Sequence, residues 1–439
     1  MTKIAIIGAG GYVFPLQLMN DFLSFPSTSG ATYALMDIDP SSLARTERLA
    51  RHLVETHKLP ARIEPTTDRR QALRGADFVV VCFQVGGHDA YAVDIEIPRR
   101  YGIDQTVGDT FGPGGVFRGL RSMKALDEIV ADMRELCPDA LLLNYANPMA
   151  INCWFAAAEG ISTTGLCHSV QHTADELADI MGLEPGLWSF RAAGINHQAW
   201  ILDFKDRGRD ITAQMRAAAE AYHRGDLTPA RPIDEEYAGN REGVRTAIMK
   251  LTGYFPTESS HHASEYYPHF RRTPEEVKAY LPERWDYLEI TGGNHDAELE
   301  RLADEFAAGE LAVSGEYAAR IVDSVLTNTP RVIYGNVPNT GLIPNLPDGC
   351  CVEVPCLVDQ NGVQPTFAGN LPAACAGINL ASVGYQECVV ESYRQQSRDL
   401  VYTAVSLDRL TSSLLTLDQI REMSDEMIEA QQPWLPELH

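Results

Sequence analysis

The feature that most constrains this chain stands at its start. Residues 3–8, KIAIIG, form an apolar run that ends in Gly8-Ala9-Gly10-Gly11 ahead of an amphipathic stretch. A strand feeding a glycine turn and then a helix is the opening of a dinucleotide-binding βα unit. The glycines permit the tight turn and let a pyrophosphate approach the backbone, while the helix N-terminus supplies N–H groups and a positive dipole end. Where the usual fingerprint has its third glycine, this chain has Val13. A second apolar run, ATYALMDID (31–39), places Asp37 at its end. A carboxylate there accepts from a ribose 2′-hydroxyl and repels a 2′-phosphate, so NAD is expected rather than NADP. Gly8, Gly10, Gly11 and Asp37 are the candidate cofactor residues.

The alternation continues along the chain. DFVVVCFQ (77–84) and DALLLNYANP (139–148) read as buried parallel strands, and residues 41–57 and 114–137 as helices between strands. A helix over 149–160, a strand over 162–170, a helix over 172–182 and a strand pair between Ala192 and Phe204 follow, with DRGRD (206–210) as a turn. This β/α order predicts an α/β fold with an N-terminal Rossmann-like doubly wound parallel sheet. Helices are expected near 211–224, 242–252, 274–281, 296–308 and 312–322, β-branched VEVPCLV (352–358) as a strand, and a largely helical end over 371–430. The division expected is an NAD-binding domain over 1–195 and an interleaved α/β domain over 196–439 for metal, substrate and oligomerisation.

A formal net charge of −24 disfavours phosphate backbones and anionic lipid, so nucleic acid and membrane are poor partners. Apolar runs are too short to span a bilayer, and nine cysteines without a secretion signal read as reduced thiols in a cytoplasmic protein. Cys350 and Cys351 are expected in a strand core rather than in a vicinal bridge.

Polar clusters at the ends of predicted strands mark the chemistry, because open α/β sheets place ligands there. They are Gly108-Asp109-Thr110, Asn147-Pro148, Cys167-His168-Ser169 and Asn196-His197, with Glu258-Ser259-Ser260-His261-His262 and Glu265-Tyr266 in a later loop. Cys167 and His197 offer a thiolate and an imidazole, a plausible metal pair. Each read alone is better explained by a buried thiol or a hydrogen-bonded core histidine, and only the two together beside a dinucleotide site bring the metal reading level.

Together the strings GAGGYVF, LMDID, GDTFGPGG, NYANPMA, LCHSV, GINHQAW, ESSHHASEY, NVPNTGLIPNLP and VEVPC, in this order, resemble glycoside hydrolase family 4, the NAD- and metal-dependent glycosidases. The resemblance runs over essentially the whole chain and implies a lactate/malate dehydrogenase-like architecture. Cys-His-Ser resembles the α-galactosidase branch. The resemblance implies Mn²⁺ at Cys167 and His197, His168 as general acid, Asp109 and Asn147 as sugar contacts, and a homo-dimer or homo-tetramer acting on a small α-glycoside. It implies hydride abstraction from sugar C3, proton removal at C2, elimination, water addition and return of the hydride. The C2 base does not align without gaps: Tyr266 is the first choice, His262 the second, and Glu258 a third.

Two expectations come from ligand chemistry. Thiolate and imidazole favour Zn²⁺ or Cu²⁺ over Mn²⁺, and an exposed Cys167 thiolate would oxidise readily. A protonated His168 beside a dication needs a carboxylate neighbour, with Asp109 or Glu265 as candidates. The alternatives within the class are an α-galacturonidase, with Arg118, Arg121, Arg271 or Arg272 available for a C6 carboxylate, and an α-glucosidase. A metal-independent 2-hydroxy-acid dehydrogenase would share the Rossmann unit but leaves Cys167 and His197 unexplained. A regulator without turnover would need a sensor or DNA-binding module that the sequence does not resemble.

Overall fold

The computed structural model describes residues 2–12, 14–233 and 242–439. Val13 lies outside them. The strands are β1 (Lys3–Ile7), β2 (Thr32–Met36), β3 (Arg62–Thr66), β4 (Phe78–Val81), β5 (Leu141–Asn144), β6 (Thr163–Gly165), β7 (Trp188–Ile195), β8 (Gln198–Asp206), β9 (Arg209–Asp210), β10 (Phe255–Pro256), β11 (Arg331–Pro338), β12 (Cys351–Asp359) and β13 (Gly362–Pro365). Six of them run parallel in the order β3-β2-β1-β4-β5-β6. This is the doubly wound dinucleotide-binding order, with its switch point between β1 and β4. Strands β1, β2 and β4 are buried almost throughout, which explains their continuous apolar runs: helices cover both faces.

The sheet does not stop at β6. β11 pairs antiparallel with β6, β12 with β11, β7 with β12, β8 with β7 and β10 with β8. Strands from late in the chain thus sit between β6 and β7, and a β7–β8 hairpin crosses residues 195 and 196. The expected turn at 206–210 joins β8 to β9. Of the expected helices, the one near 312–322 begins later, at Ala318–Thr327, and the C-terminal region is four helices, Ala373–Arg394, Arg398–Leu407, Arg409–Leu414 and Leu417–Gln431. The helix Gly87–Arg100 was not expected: Gly86 at φ +80° and Gly87 at φ +56° hide its start, and Pro98 lies within it.

The long helix Gly112–Leu136 is buried along most of its length. Its Arg121 is 1% exposed and pairs with Asp94 of helix Gly87–Arg100, Nη2 to Oδ2 at 2.7 Å and Nη1 to Oδ1 at 2.9 Å. Gln431 of the last helix closes the group by accepting from Arg121 Nη1 and donating to Asp94 Oδ1 at 2.8 Å. Among the described residues no helix is long and apolar enough to cross a membrane. All nine cysteines are free, with Cys350 and Cys351 buried at the start of β12.

Removing one partner of a fully buried ion pair strands the other charge. Asp94→Ala is expected to lower unfolding stability by about 3–5 kcal/mol, measured by denaturant titration. A loss below about 1 kcal/mol, the range of an exposed pair, would contradict this reading of the contact.

Candidate active site

The glycine turn sits at the carboxyl end of β1. Gly8 N and Ala9 N both donate to Met36 O at 2.9 Å, which fixes the turn against β2. Gly8 has φ +93°, and a Cβ there would lie 2.7 Å from Phe83 N. A Cβ on Gly10 would fall 2.8 Å from the Asp37 carboxyl, so the bare backbone is what lets Gly10 N donate to Asp37 Oδ2 at 2.8 Å. The four expected cofactor residues are thus one cluster. They line a cavity of about 850 Å³ that continues past Phe83 and Gln84 to Asp109, Arg118 and Asn147. A long cleft with a glycine cradle, an acid for a ribose and mainly apolar walls fits a dinucleotide.

The second cluster forms where β6, β7 and their following turns converge. Cys167 and His197 each stand two residues beyond a strand, and β11 and β12 set the spacing between them. His197 occupies the β7–β8 turn with φ +61°, a left-handed conformation for a non-glycine residue. Such a conformation costs about 1–3 kcal/mol and persists where surroundings over-determine it. Here the surroundings are Thr110 Oγ1 at 3.1 Å and the Tyr266 hydroxyl at 2.9 Å from Nδ1, and Glu258 Oε2 at 3.4 Å from Nε2.

Ligand-capable atoms of Cys167, His197 and Glu258 lie within 4.8 Å of one another, as do those of Asp109, His197 and His262. Both sets share His197. Nearby, Asn196 is fully buried, and neither its Oδ1 nor its Nδ2 has a partner among the described residues. Burial keeps the His197 imidazole below its ordinary pKa, in the direction that favours the unprotonated form a ligand needs. Burial works against the Glu258 charge, yet His197, His262 and the Ser259 N–H hold its carboxyl below the usual range. This donor set fits a divalent cation. Glu258, a third choice of base from the sequence, adds a hard oxygen ligand to the thiol and imidazole and so answers the preference of those two alone for softer ions.

Cys167 departs from the expectation of an exposed thiolate. It is 7% exposed, and burial, with Glu353 and Glu258 nearby, pushes its thiol well above the ordinary value. Its Sγ donates to Ser169 Oγ at 3.3 Å. Ser169 is itself buried, so the third residue of Cys-His-Ser touches the thiol.

Asp109 and Asn147 meet: the Asn147 amide donates to Asp109 Oδ2 at 2.8 Å, and Thr110 donates to Asp109 Oδ1 at 2.7 Å. Burial opposes the Asp109 charge, but the Arg118 guanidinium and the histidines hold its carboxyl below the usual range. Tyr266 is 4% exposed, its hydroxyl 3.3 Å from His262 Nδ1, and burial raises its phenol well above the ordinary value. His168 stands at the start of helix Ser169–Met181, its side chain 47% exposed. Burial opposes its charge; the Glu316 carboxylate 3.5 Å from Nδ1, together with Glu258 and Glu353, more than offsets this and raises its pKa.

The neighbour of His168 is therefore Glu316, not Asp109 or Glu265. Glu265 instead accepts backbone N–H groups of Thr106, Val107 and Gly108 at 2.6–2.8 Å. Nothing around Glu316 in the sequence distinguished it. Glu353 was also missed as a site residue, although it lies in the quoted VEVPC string. It is fully buried, accepts from Asn336 at 3.1 Å, and burial pushes it up to about 8.

The ligand set makes a binding prediction. Glu258→Gln keeps the shape but removes an anionic oxygen, and Mn²⁺ affinity measured by calorimetric titration is expected to fall about ten-fold or more. Unchanged affinity would place the cation away from Glu258.

Residues 3–183 match the model for family 4 glycosyl hydrolase, and residues 192–411 match that for the family 4 glycosyl hydrolase C-terminal domain. The chain is 38% identical to an alpha-galactosidase of Rhizobium meliloti (strain 1021), over 99% of this chain and 89% of that protein. It is 36% identical to an alpha-galactosidase of Bacillus subtilis (strain 168), over 100% of both. The fold is shared, at TM-score 0.83, 22% identity and 100% coverage of both chains, with a 6-phospho-alpha-glucosidase from gut microorganisms solved in complex with NAD and Mn²⁺. With both of its halves matched and the glycine turn and the Cys167–His197 convergence in place, the chain belongs to glycosyl hydrolase family 4.

Proposed function

We propose that this protein is an α-galactosidase that uses NAD⁺ and Mn²⁺ as bound catalysts and returns both unchanged after each turnover. The observation that carries the reading is the single cavity joining Gly8, Gly10, Gly11 and Asp37 to Asp109 and Asn147, with Asp109 sharing His197 with the Cys167–Glu258 donor set. Full-length relatives named alpha-galactosidase support the sugar, and the fold relative solved with NAD and Mn²⁺ supports the cofactors. Residues 1–195 carry the dinucleotide half and 196–439 the remainder of the metal and substrate site, in a cytoplasmic homo-oligomer. The free cysteines are in keeping with a reducing compartment.

Most glycosidases use two carboxylates, and NAD-dependent ones are an exception. Bound in this site, NAD⁺ would supply reversible hydride transfer at sugar C3 and Mn²⁺ would supply Lewis acidity towards the sugar. Cys167, His197 and Glu258 hold the cation, with Thr110 and Tyr266 orienting the His197 ring. Asp109 accepts from and Asn147 donates to the sugar hydroxyls. Burial favours the protonated Tyr266 phenol, so its proton first passes to His262, whose Nδ1 lies 3.3 Å from the hydroxyl, and the phenolate then takes the C2 proton. His168 holds the proton that the leaving oxygen takes as the C1–O bond breaks, and Glu316 keeps that imidazole protonated. Water adds at C1 and gives its proton to His168, and Tyr266 delivers to C2 a proton that has exchanged with solvent, so the net change is hydrolysis.

One observation favours a second sugar class. Arg121 is tied to Asp94 and Gln431, Arg271 to Ser264, Thr106 and Asp104 O, and Arg272 to Glu276, whereas Arg118, which donates through Nε to Asn147 O and through Nη2 to Gln84 Oε1, has no partner for Nη1 among the described residues and lines the cavity beside Asp109 and Asn147. An α-galacturonide carboxylate would be met by Arg118.

The test is cleavage of p-nitrophenyl α-galactoside with NAD⁺, Mn²⁺ and thiol present, then with each omitted. Cleavage that needs both NAD⁺ and Mn²⁺ without NADH accumulating is expected. Cleavage of the α-galacturonide or α-glucoside alone would replace the sugar assignment, and cleavage indifferent to NAD⁺ would overturn the mechanism.

A further inference from the structure

The dinucleotide cavity has one wall from an unexpected source. Trp434 lines it, although this residue lies 397 positions after Asp37 (434 − 37) and beyond residue 411, where the family match ends. Its approach is tight: a Cβ on Gly86, besides meeting Ala90 Cβ at 2.4 Å, would lie 3.0 Å from the indole Cδ2. The tail that carries it is anchored on both sides. Gln431 is fully buried between Arg121 and Asp94, Trp434 N donates to Gln431 O at 2.9 Å, and Lys124 Nζ donates to Leu435 O at 2.7 Å. Leu435 is 5% exposed, and His439 pairs by backbone with Gln396 and Arg398. The indole is therefore held in place on one side of the cleft by the same buried group that joins helices Gly87–Arg100 and Gly112–Leu136.

The cavity's polar landmarks divide it. The glycine turn fits pyrophosphate and Asp37 a ribose, while Asp109 and Asn147 mark the reacting end. Ile38 follows Asp37 directly and is 86% exposed, an apolar residue held in solvent beside the ribose acid. Ile38, Val85, Ala125, Ile129 and Trp434 are apolar lining of this cavity. A purine needs such walls, and an indole is the strongest aromatic surface among them.

We propose that Trp434 forms the aromatic wall for the adenine of the bound dinucleotide, so that the C-terminal tail is part of the cofactor site. This rests on the reading of the site as NAD-binding. It also gives a reason for the buried Asp94–Arg121–Gln431 group: it sets the tail, and the tail completes the cleft. A cofactor that is regenerated in place gains from slow dissociation, and a wall from a separate element closes the adenosine half without touching the reacting centre.

The test is calorimetric titration of the full-length protein with NAD⁺ and with ADP-ribose, for the wild type, Trp434→Ala and Trp434→Phe. Wild-type binding of both is the premise, and its failure would remove the NAD-binding reading itself. Trp434→Ala is expected to weaken both ligands about ten-fold, with Trp434→Phe recovering most of the loss. Tryptophan emission transferred to bound NADH is expected in the wild type and reduced in Trp434→Phe. Equal NAD⁺ affinity in wild type and Trp434→Ala overturns the proposal. Weaker NAD⁺ with unchanged ADP-ribose overturns the assignment to adenine. Should Trp434→Ala not fold, Trp434→Phe and Trp434→Leu decide: affinity for NAD⁺ and ADP-ribose unaltered in Trp434→Leu would count against it.

Discussion

A buried carboxylate ties the two halves of the site together. Glu265 is 1% exposed, and its two oxygens take the N–H groups of Thr106, Val107 and Gly108, the Thr106 hydroxyl and the Gln105 amide. Arg271 holds the same loop from outside through Thr106 Oγ1 and Asp104 O. Consecutive backbone donors around an anion make a stable nest, and a buried charge this well satisfied fixes geometry. Glu265 sits at the end of helix Ser260–Glu265, which carries His262 and leads into Tyr266. The loop it grips leads into Asp109 and Thr110. One interaction thus sets the late segment with the proposed base and a metal-facing carboxylate against the early loop with the sugar contacts.

The electrostatics of the site follow from crowding acids around three imidazoles and a thiol. Glu258, Glu353, Asp109 and Glu316 surround His168, His197, His262 and Cys167, and each is compensated differently. Asp109 leans on Arg118, Glu258 on the histidines, and Glu316 on His168. Glu353 has Asn336 as its hydrogen-bond partner and is held towards its neutral form by burial. Such an arrangement, held by the protein alone, is built to receive positive charge, which is the physical sense of the cation in the proposed mechanism.

Much of this was legible from local pattern. The glycine turn, Asp37 and the β/α alternation are short-range features, and a strand–turn–helix unit encodes its own ligand. The clusters at strand ends were legible too, because in a parallel sheet every strand delivers its loop to the same edge. The convergence of Cys167 and His197 was not readable from spacing, since it depends on β11 and β12 inserting between β6 and β7. Glu316 follows an irregular segment and Trp434 a terminal helix, and neither has a periodic or motif signal to give it away. The helix Gly87–Arg100 was missed because glycines mask its start. Burial, which reverses the expectation for the Cys167 thiol, is a property of packing that no single string carries.

The central claim is that the glycosidic bond breaks after a proton leaves C2, with a side chain of this protein as the base. The direct measurement is hydrolysis of an α-galactoside in D₂O with NAD⁺ and Mn²⁺, followed by NMR of the released sugar. Deuterium at C2 of the product is the predicted result, with incorporation strongly reduced per unit time in Tyr266→Phe. Product formed at the normal rate with only hydrogen at C2 would contradict the account, because a direct displacement at C1 leaves that bond untouched.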